Sequence, residues 1–323
     1  MILADVVRSG YVESSHAGSV IALRPDRSRA LSLGDLDRPI FPRSSNKPLQ
    51  AVGLLDAGWE PHDSEELALA TASHAGEPAH LDVVRRILGD LGPAALGCPA
   101  MLPLFEPAAH ALLASGGVAS ALTMNCSGKH AAMLATCVQN GWPVEGYLER
   151  GHPVQVAITT GIERLAGEPV LHVAVDGCGA PQHALTLAGL AGAFGRLASA
   201  VVGAERQVAD AMREHPFLVG GTGRDVTLLM QGVPGLVAKD GAEGVYAAGL
   251  PDGSAVALKI DDGAGRARAP VLVAALRALD LRAPVLDQLA TAPVLGGRAV
   301  VGEVRVTRAV TDAVSAGLSR RTS

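Results

Sequence analysis

The sequence predicts an α/β (α+β) fold in which strands from both ends of the chain form one mixed sheet and a large helical insertion lies between them. Three observations carry this. Strand-like runs separated by turn residues fill the first 42 positions, helical patterns dominate from 44 to about 212, and strand-like runs return after the His-Pro pair at 215–216. Strands at both ends with helices between are accommodated by packing one sheet against a helical layer. The expected division is a sheet from about 1–43 and 217–323 and a helical part of about 44–216, within a single domain of 1–323. The flexible-looking stretches, 220–223 and 261–265, are too short to read as linkers.

The opening strands are expected at 3–7, 19–23 and 30–41, with turns at Gly10, Gly18 and the Arg-Pro-Asp-Arg of 24–27. A helix then begins near Ser44. Leu49, Val52, Leu54 and Leu55 supply its apolar series and Gly58 its stop, while Pro48 fits only a first turn, where N–H groups lack partners anyway. Further helices are read at 65–72, 81–91, 108–114, 129–140, 153–166, 184–200 and 205–214. Strands follow at 236–239, 244–248, 255–260 and 300–306, with a helix over 266–279 among them.

Composition narrows the partners. A chain of 323 residues that is 48% hydrophobic can bury a large core. Its net charge of -5 gives no reason to expect nucleic acid or an anionic membrane. The first residues lack the basic start and apolar run of a signal peptide, and no stretch is apolar for long enough to span a bilayer, so a cytoplasmic protein is expected. Four cysteines in a chain of this length do not form a secreted disulfide framework.

The chemistry begins at Ser44 and Lys47. Residues three apart share a helix face, so an amine can reach a hydroxyl and activate it as a nucleophile. The positive end of the helix dipole lies at Ser44, where backbone N–H groups could hold an oxyanion. A lysine acts as a base only when neutral, a state favoured by burial and by a second ammonium nearby.

Four further polar, glycine-flanked segments stand at the ends of regular elements, where scaffolds present functional groups. They are Ala-Ser-His-Ala-Gly-Glu at 72–77, Asn-Cys-Ser-Gly-Lys-His at 125–130, Asp-Gly-Cys-Gly at 176–179 and Lys-Asp-Gly-Ala-Glu-Gly at 239–244. Lys239 ends an apolar run and takes the place of the lysine in the Lys-Thr-Gly of Ser-x-x-Lys hydrolases, with Ser73 a candidate proton partner. Cys126 and Cys178, with Lys129 or His130, could hold a soft divalent ion such as zinc. Cys98 and Cys137 read as ordinary buried thiols.

Together these segments resemble the rhizobial-type, or class 3, L-asparaginases, also called the thermolabile or asparaginase II family. The matching residues are Arg-Ser-x-x-Lys-Pro-Leu-Gln at 43–50, Ser-His-x-Gly-Glu at 73–77, Asn-Cys-Ser-Gly-Lys-His at 125–130, Asp-Gly-Cys-Gly-x-Pro at 176–181 and Lys-x-Gly-Ala-Glu-Gly at 239–244, in the family's order. One departure stands at 97–103, which lacks an expected Cys-Gly-x-His.

The resemblance implies a fold similar to serine beta-lactamases and glutaminases, a homodimer, and hydrolysis of L-asparagine to aspartate and ammonia. Ser44 would be the nucleophile with Lys47 as its base, and Ser73 with Lys239 a second Ser-Lys pair moving protons. Cys126, Lys129 and Cys178 would bind zinc, Arg43 the substrate carboxylate, and Asp176 would lie close to the substrate. Asn125 and His130 would line the pocket. A lysine ligand must first lose its proton, so Lys129 is a less ordinary ligand than the two cysteines. Two other readings compete: a different Ser-x-x-Lys hydrolase, glutaminase or beta-lactamase-like, and a non-catalytic metal-binding protein on the same scaffold.

Overall fold

The computed structural model describes residues 1–319. From the first end of the chain come β1 (Ile2–Arg8), β2 (Tyr11–Leu23) and β3 (Arg29–Leu33). A 3-10 turn, Arg43–Asn46, leads into α1 (Lys47–Asp56), followed by α2 (Ser64–Ala70), α3 (Pro78–Leu88), α4 (Glu106–Ala114), α5 (Ser127–Gln139) and α6 (Pro153–Ala166). A small hairpin, β4 (His172–Val175) and β5 (Pro181–Ala184), precedes α7 (Leu187–Ser199), α8 (Gly203–Glu214), α9 (Pro216–Val219) and α10 (Asp225–Gly232). The sheet then resumes with β6 (Val237–Gly241), β7 (Val245–Gly249) and β8 (Ala255–Ile260). After α11 (Arg268–Ala278) and α12 (Pro284–Leu289) come β9 (Ala292–Gly296), β10 (Ala299–Val306) and α13 (Arg308–Ser319).

The main sheet runs β6-β7-β8-β2-β1-β10-β9, with β3 also on β2. Strands from both chain ends share it, as the sequence predicts, with the early strands β2 and β1 at its centre and late strands on either side, and its pairings are antiparallel. The long β2 joins the halves: Tyr11–Ala17 pairs with β1, and Gly18–Leu23 with β8. β6 and β7 are buried along their whole length, and α7 and α11 both pack on β7 and β8. β7 therefore reads as a continuous apolar run instead of an alternating one, whereas β6 carries Lys239 and Asp240 into the interior.

Several boundaries differ from the sequence expectation for local reasons. The strand expected over 30–41 stops at Leu33, because Gly34 takes a left-handed conformation and the Asp35 carboxylate then accepts from the N–H groups of Asp37 and Arg38. The helix expected from 184 starts at Leu187, where Thr186 caps it by accepting from Gly189 N at 2.9 Å. Ala184 belongs instead to β5. The strand expected at 19–23 extends back to Tyr11, since its exposed polar half pairs with β1 without showing an apolar pattern.

The helical layer presents the site. α1 packs on α5, α6 and α8, and the 3-10 turn before it lies on β6 and β7. Contact between turn and strand needs Gly241: a Cβ there would sit 2.5 Å from the Pro42 carbonyl and 3.0 Å from Ser45 Oγ. The segment carrying Ser44 is thus seated on the strand carrying Lys239.

Candidate active site

Ser44 is half-buried in the 3-10 turn, and its hydroxyl makes no hydrogen bond among the described residues. Two neighbouring backbone donors are already used: Ser45 N–H donates to the Pro42 carbonyl at 3.1 Å, and Lys47 N–H caps back to the Ser44 carbonyl. Ser45 Oγ donates to the Lys239 carbonyl at 3.0 Å, which ties the turn to β6.

Lys47 is buried at 1% exposure, and its amine goes to Ser73 rather than to Ser44. Lys47 Nζ stands 3.1 Å from Ser73 Oγ and donates to the Ala72 carbonyl at 2.5 Å. A buried amine left without such partners would be expensive. The expected pairing of Ser73 with Lys239 is not the one observed. Lys239, fully buried, donates instead to the Asp240 carboxylate at 2.6 Å and to the Asp240 carbonyl at 2.8 Å.

These charges shift one another. Burial, opposed by Asp240 and aided by Arg224 and Lys47, pushes Lys239 down from 10.5 to about 8. Asp240 goes the other way: burial alone would raise it, but Lys239, Arg224 and Arg268 hold it well below the usual carboxylate range. Arg224 donates to Asp240 Oδ2 at 2.5 Å, and Arg268 reaches the same oxygen at 3.4 Å.

On the other side of the turn, Arg43 Nε donates to Asp176 Oδ1 at 2.7 Å, and Arg43 Nη1 stands 3.8 Å from Glu243 Oε1. Arg43 and Glu243 both take left-handed backbone conformations, uncommon for residues with a Cβ and often found at functional sites. Both also line a cavity of about 440 Å³ that continues past Asp35, Arg38 and Lys259. Burial would raise the Asp176 carboxyl, but Lys129 and Arg43 outweigh it and hold it low.

Asp176 leads to the cysteines. Lys129 Nζ lies 3.1 Å from Cys178 Sγ, and Cys178 Sγ lies 3.7 Å from Asp176 Oδ2. A hydrogen bond with Cys178, opposed by burial and helped by Lys47 and Lys129, lowers Cys126 well below the ordinary thiol value. The same bond, together with burial, raises Cys178. Burial would lower Lys129, but Cys178, Cys126 and Asp176 reverse this and raise it, so the amine keeps its proton. Cys126, Lys129 and Cys178, the three residues expected as zinc ligands, thus lie together. Among the described residues, no group of three or more His, Cys, Asp or Glu is placed to hold a metal ion. A metal here would need the Lys129 amine, and binding would release its proton.

The two residues carried as pocket lining sit at the edge of this group. Asn125 Oδ1 is 3.7 Å from Cys126 Sγ. His130 Nδ1 meets the Tyr147 hydroxyl at 2.6 Å, and that hydroxyl also accepts from Gly97 N at 2.8 Å. The departing segment at 97–103 thus abuts the site through Tyr147. Burial lowers His130, whose Nε2 has no hydrogen-bond partner among the described residues.

The family model described as L-asparaginase II matches residues 4–306. The chain belongs to the L-asparaginase II family. A search of curated proteins finds no match. Among solved structures, the chain described as "Crystal Structure Analysis of Mglu in its tris and glutamate form" is similar at a TM-score of 0.37 and 14% identity. The match covers 86% of this chain and 62% of that one, so this chain spans less than two thirds of its length.

Within this L-asparaginase II chain, sequence reasoning missed Arg224, Asp240 and Tyr147. Asp240 stood inside the segment at 239–244 and Arg224 directly after the glycines of 220–223. That stretch looks flexible in sequence, yet it is tied to the Ser73 segment. Ser73 N–H donates to the Val219 carbonyl at 3.2 Å, and Thr222 donates to the Glu77 carboxylate through N at 2.9 Å and Oγ1 at 2.8 Å. Among the described residues no single helix is long and apolar enough to cross a membrane.

Proposed function

We infer that this chain is an amidohydrolase that cleaves the side-chain amide of L-asparagine to aspartate and ammonia through an acyl-enzyme on Ser44. One observation supports the reading above the rest. Lys47, on the Ser44 turn, sets its buried amine 3.1 Å from the Ser73 hydroxyl, while the Ser44 hydroxyl stays half-exposed and unpartnered among the described residues. Ser44 is thus free to attack, and Lys47 joins its turn to Ser73; to take the Ser44 proton the Lys47 amine would turn from Ser73 toward Ser44.

Neutral Lys47 takes the Ser44 proton as Oγ bonds to the carboxamide carbon and the carbonyl electrons move to oxygen. Collapse of that intermediate breaks the C–N bond, and the proton held by Lys47 passes through Ser73 to the leaving ammonia. Water then attacks the ester, returns a proton to Ser44 and releases aspartate. Arg43 would receive the substrate carboxylate, with Asp176 fixing the guanidinium at 2.7 Å. Lys239, held by Asp240, would complete the proton relay behind Ser73.

Cys126, Cys178 and the deprotonated Lys129 would hold a zinc ion. When bound, that ion supplies charge and order beside Asp176, and its two thiolate ligands leave it a weak Lewis acid. The reading also includes a cytoplasmic homodimer folded as a single domain, which light scattering and limited proteolysis would check.

Coupled ammonia assays with asparagine and glutamine test the reading. It predicts turnover of asparagine that Ser44→Ala abolishes; turnover surviving in that variant contradicts it. The Lys47–Ser73 contact favours one alternative, in which Ser73 is the nucleophile. A covalent adduct on Ser73 would establish that alternative.

A further inference from the structure

The Ser73 hydroxyl and the Lys239 amine come from segments 166 positions apart in the chain, and neither touches the other directly. What joins them is a run of bonds outside the residues assigned above. Arg224 Nη1 donates to the Ser73 carbonyl at 2.5 Å, and also reaches the Gly220 carbonyl at 3.4 Å. The other branch of the same guanidinium, Nη2, donates to Asp240 Oδ2 at 2.5 Å. Asp240 Oδ1 then accepts from Lys239 Nζ at 2.6 Å. The planar fork of arginine suits such a bridge, since two donors leave it at a fixed angle.

The loop that carries Arg224 is itself anchored to the Ser73 segment. Besides the Ser73–Val219 and Thr222–Glu77 bonds, Gly221 lies so close to Ala75 that any side chain at 221 would collide with it. On the far side, Arg268 donates to the Gly241 carbonyl at 2.6 Å and shares Asp240 Oδ2 with Arg224. Asp240 is 4% exposed, so its charge is paired within the protein and little screened by water.

We propose that Arg224 and Asp240 are positioning residues of the amide-hydrolysing site, locking Ser73 and Lys239 into one register through a single chain of charge-assisted hydrogen bonds. The proposal rests on the reading of Ser73 and Lys239 as members of that site. Neither Arg224 nor Asp240 need touch the substrate. They fix where the Ser73 hydroxyl stands relative to the two lysines, and a displacement of about 1 Å in such a group can cost about a hundredfold in rate.

Charge gives a signature that mere structural support would not. The charged groups acting on Lys239 are Asp240, which favours its ammonium, and Arg224 and Lys47, which oppose it. Asp225 and Arg268 act on Asp240 from behind. Replacing Asp240 by Asn therefore moves the Lys239 ionisation, near pH 8 in the native protein, to lower pH. Replacing Arg224 by Gln moves it to higher pH.

The experiment is the pH dependence of kcat and kcat/KM for ammonia release from asparagine, using the full-length protein and its Arg224→Gln, Arg224→Lys, Asp240→Asn and Lys239→Met variants, with thermal melts of each. The expected result is a fall in kcat of about tenfold to a hundredfold with little change in KM, and opposite displacements of the ionisation in Arg224→Gln and Asp240→Asn. Arg224→Lys, which keeps the charge but loses the fork, should lower kcat while leaving the ionisation near its native position. Should Asp240→Asn not fold, wild-type kcat in folded Arg224→Lys and Arg224→Gln still overturns the proposal. Displacements in the same direction also overturn it. Full activity in Lys239→Met overturns the proposal together with the reading of the site. Loss of activity there, alongside native kinetics in the Arg224 variants, overturns the positioning role alone.

Discussion

Replacing Lys239 by Met isolates the energetic cost of keeping an amine at the centre of the site. Methionine has a similar length and no charge, and it leaves Asp240 with Arg224 and Arg268 as partners. In the native protein Lys239 is fully buried and falls from 10.5 to about 8, with burial as the main cause. Between those two values the unfolded chain binds a proton that the folded protein does not, so stability contributed by this group rises with pH. Below about pH 8 both states carry the proton and the full penalty of the buried ammonium is present; above 10.5 neither does. At about 1.4 kcal/mol per pH unit the drop from 10.5 to about 8 corresponds to about 3 kcal/mol. Urea unfolding of the native protein and the variant, repeated across this range, should show native stability climbing by about that amount relative to the variant. A stability gap that stays flat with pH would refute the argument, because it would mean that Lys239 has the same proton affinity folded and unfolded.

Three further outcomes follow from particular contacts. Gly241→Ala should push the Ser44 turn off β6, costing about 1–3 kcal/mol of stability and up to about a hundredfold in kcat; native kinetics would show that the seating of the turn does not matter. Tyr246→Phe removes a buried hydroxyl that has no hydrogen-bond partner among the described residues, so denaturant melts should show the variant as stable as the native protein or about 1 kcal/mol more stable. A loss of similar size would show that the hydroxyl is bonded. Cys126→Ala should abolish zinc retained through gel filtration while Cys137→Ala leaves it unchanged, and equal zinc content in both would place the metal elsewhere.

Much of the architecture is legible in the sequence because it rests on local signals. The helix after Ser44 shows its proline, its apolar series and its glycine stop, and it runs Lys47–Asp56 as those signals require. Helix Pro153–Ala166 and strand Ala255–Ile260 have the predicted bounds, since a proline or an apolar run marks each end. β9 and α10 lack such marks and are not anticipated; β9 is mostly exposed and, among the described residues, pairs only with β10. The polar segments at 73–77, 125–130, 176–179 and 239–244 do assemble around the Ser44 turn, through Lys47, Lys129 and Arg43.

Pairing within the assembled site was less legible. Helical spacing places Lys47 on the face of Ser44, but the direction of a long flexible side chain depends on which acceptors the tertiary fold brings near, here Ala72 and Ser73. Lys239 likewise turns to its own neighbour Asp240, because a buried amine takes the nearest carboxylate. Arg224 could not be read at all without the fold, since the two acceptors it bridges, Ser73 and Asp240, lie 151 residues before it and 16 after it.

Mass spectrometry of the protein quenched in acid during turnover of asparagine tests the central claim most directly. The account predicts an aspartyl ester on the peptide containing Ser44, absent from Ser44→Ala. An ester on Ser73 instead, or steady turnover with no adduct at either serine, would contradict it.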